Sequence, residues 1–286
     1  MPHYLLAGEN FYFRYQILEL TPFKTSDEII EGDVCAPSLF PKSDSHILVS
    51  RTRNWVTCEQ YIVETYQTPR GFLLMVENGG KFIITQGREG IYKQGQREEL
   101  SKLDRDIILG PVIVLSLALR DIWSIHASAA MYRQSMIAFL GESGRGKSTL
   151  AAYLDNFGWQ RVADDILPVT LEETGVQAWP HFPQLKLPAD NQPGLNFPER
   201  LPLDKICLLE KADADAAPEL QRLPPNQAVR VLIGHTAGSR LFSPDLLGEH
   251  LEFCARAAER IPVYRLIYPH RKDVLPEVKE LLESIC

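Results

Sequence analysis

The octapeptide Gly141-Glu142-Ser143-Gly144-Arg145-Gly146-Lys147-Ser148 constrains this chain more than any other segment. Its glycines allow backbone angles and close approaches that a side chain would block, so neither a regular strand nor a helix continues through it. Before it lies an almost wholly apolar run, Ser135-Met136-Ile137-Ala138-Phe139-Leu140; after it, Leu150-Ala151-Ala152-Tyr153-Leu154 suits a helix. The predicted order is strand, glycine loop, helix.

The loop fits G-x-x-x-x-G-K-[ST] at every fixed position. In that setting successive backbone N–H groups and the positive end of the following helix can cradle anionic oxygens. Lys147 is placed to reach the β- and γ-phosphates of ATP or GTP, and the Ser148 hydroxyl suits Mg²⁺. Thr149 stands beside it for the α-phosphate, and Glu142, Ser143, Gly144 and Arg145 complete the candidate nucleotide-binding set. The plainer alternative is a glycine-rich turn before a helix, in which Arg145 simply faces water.

A second predicted strand, Gln160-Arg161-Val162-Ala163, ends at Asp164-Asp165, at the end where α/β sheets place their ligands. Adjacent strand residues point to opposite sides, so two carboxylates here can take different jobs. One can hold Mg²⁺ while the other accepts a proton from an attacking hydroxyl; the alternative is a solvated turn before Pro168. Upstream, His126 precedes Ala127–Met131, which can pair with Met136–Leu140 about a turn at Tyr132-Arg133-Gln134. That hairpin puts His126 at one of its ends, within reach of the phosphates as a polarising or proton-handling group. A histidine among apolar residues is otherwise more often a packed one. Weaker candidates are His181 and Lys186 in the proline-stiffened run Trp179–Leu187, and Arg230, His235 and Arg240 farther on.

Residues 1–100 carry short apolar or alternating runs: Phe11–Ile17, His46–Val49, Tyr61–Tyr66, Gly71–Val76 and Lys81–Ile84, with Asn78-Gly79-Gly80 as a hairpin turn. They predict a small antiparallel β module, a candidate for substrate recognition, before a catalytic domain over 101–286. The apolar run Ile107–Leu119 is too short to cross a bilayer. It predicts a buried helix opened by Gly110-Pro111 and running to Asp121. Residues 172–225 are rich in proline and turn residues around one strand, Ile206–Leu209. Helices over 244–260 and 273–285 flank a strand at Val263–Ile267.

The net charge of −7, with both signs well mixed, argues against a broad nucleic-acid surface. Cys35, Cys58, Cys207, Cys254 and Cys286 contain no C-x-x-C pair, so neither a zinc site nor a disulfide framework is expected. With no signal-peptide pattern at Met1-Pro2-His3-Tyr4, the expectation is a reduced, cytoplasmic protein without a membrane partner.

His126, the loop Gly141–Ser148 and Val162-Ala163-Asp164-Asp165, in that order and within about 45 residues, resemble the catalytic core of HPr kinase/phosphorylase. That family shares its fold with phosphoenolpyruvate carboxykinases. Pro183-Gln184-Leu185-Lys186-Leu187 and Ile261-Pro262-Val263-Tyr264-Arg265-Leu266 are similar to segments of related kinases encoded beside lasso-peptide biosynthesis genes, which phosphorylate the C-terminal serine of the precursor peptide. The resemblance implies an α/β, HPr-kinase-like P-loop core with a mixed sheet and helices behind the β-rich module. It implies Asp165 as the base that accepts the serine proton, Asp164 beside the metal, and His126 near the transferred phosphoryl group. Lys147 and Ser148 keep the phosphate and Mg²⁺ roles given above. The expected partner is a peptide or small protein carrying a serine, and self-association is left open. The arginine-rich signature of the bifunctional enzymes is missing after the acidic pair, which speaks against phosphorylase activity and against HPr as substrate. Two other classes fit the loop: a nucleotide-responsive binding module, and a small-molecule kinase.

Overall fold

A computed structural model describes residues 2–13, 15–25, 46–56, 59–85, 91–94, 100–188 and 190–286. The chain forms two compact units, Met1–Trp123 with Gly238–Glu249, and Ser124–Ala237 with His250–Cys286. Both are built of sheets and helices, so the class is α/β with mixed and antiparallel sheets.

The first unit opens with a hairpin of β1 (His3–Leu6) and β2 (Glu9–Tyr12). A meander of β3 (Ile47–Val56), β4 (Glu59–Thr68), β5 (Gly71–Val76), β6 (Lys81–Thr85) and β7 (Ile91–Lys93) follows, each strand antiparallel to the next. The expected turn lies between β5 and β6, with Asn78 left-handed at φ 59°. The strand expected over Phe11–Ile17 stops at Tyr12; Arg14 lies outside the described residues, and Leu18–Phe23 is a 3₁₀ turn. Cys35 and Cys58 also fall outside the described residues.

The helix expected to open at Gly110 begins earlier, as α1 (Lys102–Ile107). Ser101 caps it: its Oγ accepts from the Asp104 N–H at 3.1 Å, while Asp104 Oδ2 accepts from the Ser101 N–H at 3.1 Å. The helical path is wound wide at Ile108–Val112 and broken at Gly110 (φ −103°, ψ −105°), then resumes as α2 (Ile113–Ala118). Pro111 therefore sits at a kink rather than at a helix start, because it offers no N–H to the preceding turn. Ile107, Ile113, Leu115 and Leu117 are fully buried, as the apolar run required. Among the described residues no helix is long and apolar enough to cross a membrane. These helices, expected with the second domain, belong to the first unit, since their apolar faces complete its core.

The second unit holds two sheets. One contains β9 (Ser128–Tyr132), β10 (Ser135–Leu140), β11 (Gln160–Ala163), β15 (Lys205–Lys211), β16 (Glu219–Arg222) and β17 (Val263–Tyr268), in the spatial order β11-β9-β10-β15-β17-β16. The other has the order β14-β13-β12-β8, from β8 (Trp123–His126), β12 (Ile166–Glu172), β13 (Gly175–Ala178) and β14 (Leu201–Pro202). β13 and β14 occupy a stretch whose prolines point to irregular chain. Pro168 gives its strand no N–H, but its carbonyl keeps a hydrogen bond, from the Trp179 N–H at 2.9 Å.

Helices α3 (Lys147–Asp155), α4 (Pro225–His235), α5 (Pro244–Arg260) and α6 (Leu275–Glu283) complete the chain. Residues 136–140 of β10 are all fully buried, so this strand is covered on both faces. On one of them Ile137 and Phe139 pack with Leu150 and Leu154 of α3 and with Val278 and Leu282 of α6.

Candidate functional site

Strand direction brings the candidate residues to one edge. β10 is parallel to β15, and β15 to β17. β9 is antiparallel to both β10 and β11, so β11 runs the same way as β10. The carboxyl ends of β10, β11, β15 and β17 and the amino end of β9 therefore share one rim. Gly141 follows β10 there, Asp164 follows β11, and His126 lies two residues before Ser128 of β9.

The loop leaves β10 with Gly141, Gly144 and Gly146 at φ 152°, 81° and 82°. A side chain at Gly141 would meet the Leu209 carbonyl oxygen at 3.2 Å, and one at Gly146 would meet the Tyr268 hydroxyl at 3.4 Å. Gly146 caps α3 in the left-handed conformation, leaving the first amides of that helix unpaired by any side chain. The Lys147 side chain turns back over the loop: Nζ donates to the Gly141 and Glu142 carbonyls at 2.7 and 3.3 Å. Burial and the charge of Lys186 hold its pKa below the usual lysine value, against the pull of Asp165 and Asp164. Ser143, Gly144, Ser148 and Thr149 are exposed. Arg145 pairs with Glu142 at 3.0 Å, within the loop itself.

The two aspartates separate as the strand geometry requires. Asp164 is buried and accepts from Ser128 Oγ at 3.2 Å. Asp165 Oδ1 faces two groups: Lys186 Nζ at 2.6 Å and His126 Nε2 at 3.7 Å. The Ala127 N–H donates to the Asp165 carbonyl at 3.0 Å, joining the β8–β9 corner to the acidic pair. Partial burial, then the charge of Lys147, push the His126 pKa down; Asp165 opposes them.

Gln184 organises this corner. Its Oε1 accepts from the backbone N–H groups of Asp164 and Asp165 at 2.8 and 2.9 Å. Its Nε2 donates to the Ile166 and Phe182 carbonyls, both at 3.0 Å. Gln192 Oε1 in turn accepts from the Gln184 N–H at 2.8 Å. Both amides are buried, 1% and 8% exposed, and the Gln184 side chain alone satisfies four backbone groups, two in buried bonds and two in part-buried ones.

His235 joins the cluster from the last turn of α4. The Ala237 N–H donates to the Ser124 carbonyl at 2.7 Å, and Thr236 bridges to Ile125, which ties that helix end to β8. Burial lowers the pKa of His235; the Val231 carbonyl at 2.8 Å raises it, and the charge of Lys147 lowers it again. His270, just beyond β17, feels Lys211 and Arg145, and its buried Nε2 has no hydrogen-bond partner.

Among the hydrogen bonds and ion pairs of the described residues, none joins the other sequence candidates to this cluster. His181 is bonded to the Phe197 carbonyl at 3.0 Å, and Arg230 is exposed on α4. Arg240 belongs to the first unit. Sequence reasoning did not single out Gln184, Gln192 or Ser128. A glutamine framed by Phe182, Pro183 and Leu185 was the available signal for the first.

The second unit is thus an α/β unit in which a strand, a glycine loop and a helix meet an aspartate–histidine–lysine cluster at one sheet edge. No family model matches the chain, and no curated protein sequence does. Among solved structures, the HPr(Ser) kinase/phosphatase from Coxiella burnetii is similar at 15% identity and a TM-score of 0.34, over 56% of this chain and 88% of that one. No family is assigned from a likeness of that size.

Proposed function

We propose that the second unit is an Mg²⁺-dependent kinase that transfers the terminal phosphoryl group of ATP or GTP to a serine hydroxyl of a peptide or small protein. The observation that carries this reading is the Asp165 carboxylate, held between His126 and Lys186 at the rim where the glycine loop presents Lys147. The loop offers the nucleotide open glycine backbone and the unpaired first amides of α3. On binding, Lys147 exchanges the Gly141 and Glu142 carbonyls for phosphate oxygens.

Ser148 and Asp164 provide the oxygen donors that Mg²⁺ prefers. When bound, the ion supplies positive charge against the phosphates. The chain's own residues do the rest. Asp165 accepts the acceptor's hydroxyl proton, and neutral His126 polarises or hydrogen-bonds the transferred group. Gln184 keeps both aspartates in register. Catalysis of this kind is mainly positioning and charge stabilisation.

For the acceptor, the resemblance of residues 183–187 and 261–266 to lasso-precursor kinases favours a C-terminal serine of such a peptide. The test is incubation with ATP, Mg²⁺ and a panel of serine peptides, including a lasso precursor, read as the mass gain of one phosphoryl group. Asp165→Asn should lose the gain under ordinary turnover conditions, keeping only a small residual rate in single-turnover measurement, while nucleotide binding persists. Unchanged turnover in that variant defeats the assignment. Nucleotide binding without any phosphorylated product would instead favour a responsive binding module, and transfer to small alcohols alone a small-molecule kinase.

A further inference from the structure

Lys186 is the group in this cluster whose placement that reading leaves without a purpose. Its ammonium sits 2.6 Å from Asp165 Oδ1, the oxygen that His126 also faces. Its backbone is fixed: Gln184, two residues earlier, is locked to the acidic pair, and the Leu187 N–H donates to the Gln184 carbonyl at 2.9 Å. The side chain is 57% exposed on a flexible four-carbon stem, and Asp165 is the one partner that holds its ammonium among the hydrogen bonds of the described residues. A fixed base under a long-stemmed, solvent-facing cation is an arrangement for delivering charge. An ion pair with one partner this exposed contributes little to folding, so stability alone gives the residue little to do.

We infer that Lys186 is a catalytic cation that leaves Asp165 and contacts the transferred phosphoryl group during the reaction; this rests on the kinase reading above. In the step, the acceptor oxygen forms a bond to the terminal phosphorus, and its proton passes to Asp165. The bond from that phosphorus to the bridging oxygen breaks, and its electron pair departs on the nucleoside diphosphate. Protonation cancels the Asp165 charge, so the ion pair loses its anion. The nearest remaining negative charge is then on the oxygens of the group in flight, and Lys186 follows it. Lys147 approaches the same phosphates from the loop side, and the two ammoniums are near enough to repel each other. An anion between them relieves that repulsion.

The experiment measures single-turnover transfer, acceptor and nucleotide KM, and nucleotide affinity for wild type, Lys186→Met, Asp165→Asn and the double variant, each first checked for an unchanged unfolding midpoint. Lys186→Met should lower kcat by about 100-fold or more, the scale of losing one transition-state donor, with the KM for nucleotide little changed. The residual rate of Asp165→Asn should fall further when Lys186→Met is added. If Lys186 merely orients Asp165, the double variant will match Asp165→Asn, and the inference is overturned. It is equally overturned by a Lys186→Met enzyme that keeps its kcat. A wild-type protein that binds nucleotide but transfers to no acceptor, or binds none, overturns the kinase reading and this inference with it.

Discussion

Gln184 holds Asp165 by its backbone rather than by its carboxylate: Oε1 accepts the Asp165 N–H at 2.9 Å, leaving both carboxylate oxygens for other partners. The same oxygen accepts the Asp164 N–H at 2.8 Å, so one amide sets the position of both acids. Replacing it by leucine keeps much of the volume but strands four backbone groups. Each buried group left unpaired costs about 1–3 kcal/mol, with partial relief as the loop relaxes. We expect Gln184→Leu to lower unfolding free energy by about 3 kcal/mol in denaturant titration. Phosphoryl transfer should drop more than nucleotide affinity, since Lys147 and the loop are untouched.

Gly146 and Gly158 both stand at φ 82°, one at the start of α3 and one just past its end. Alanine at either position bears the same left-handed backbone cost, about 1–2 kcal/mol. Only Gly146 lies in the loop, where an added Cβ also meets the Tyr268 hydroxyl at 3.4 Å; at Gly158 nothing lies within 4 Å. Thermal unfolding should therefore show similar losses for Gly146→Ala and Gly158→Ala. Calorimetric titration with ATP should show weakened binding for Gly146→Ala alone.

His250 is buried against Thr236 Oγ1 at 2.8 Å and Cys254 Sγ at 3.2 Å, and burial holds its pKa below the ordinary histidine value. The unfolded chain then binds the proton more readily than the folded one, so stability rises with pH across this group's window. Its contribution is complete above the unfolded value of about 6.5 and is lost as pH falls toward the folded value. Unfolding midpoints measured from neutral to mildly acid pH should decline, and His250→Gln should flatten that decline. A slope unchanged in the variant would assign the acid sensitivity to His126, His235 and His270, whose pKa values are also lowered.

In the first unit, Asp104 is paired with Lys93 at 2.6 Å, their side chains only 5% and 13% exposed. Burial alone would raise the Asp104 pKa, but Lys93 and Ser101 bring it below the usual carboxylate value. Its contribution to stability is present above about pH 4 and disappears as pH falls below it. Asp104→Ala strands a buried ammonium and removes the capping box at once. We expect a loss of about 3–5 kcal/mol, measured by chemical denaturation, with Lys93→Met less costly because the cap survives.

Much of the rim was legible in the residues because its signals are local. Glycine spacing, a strand ending at Asp164, and the hairpin behind His126 each follow from a few adjacent positions. The first helix was misplaced for the same reason: Gly110-Pro111 is a strong local start signal, whereas the start in use lies upstream, capped by Ser101 and Asp104. Strands β13 and β14 were hidden because proline density describes backbone donors, not whether neighbouring strands supply partners. Gln184 and the pairing of Lys186 depend on contacts about twenty residues away in sequence, which no local pattern encodes.

The common heading of β10, β11, β15 and β17 gives the larger sheet of the second unit two opposite rims, one of them carrying the proposed site. Every group that would handle phosphate hangs from that rim, while the turn at Arg133, left-handed at φ 55°, lies at the other. That turn is the place to graft a fluorophore, a tag or an inserted peptide. The strands would pass the load into the buried core, and the distances among His126, Lys147 and Asp165 would stand.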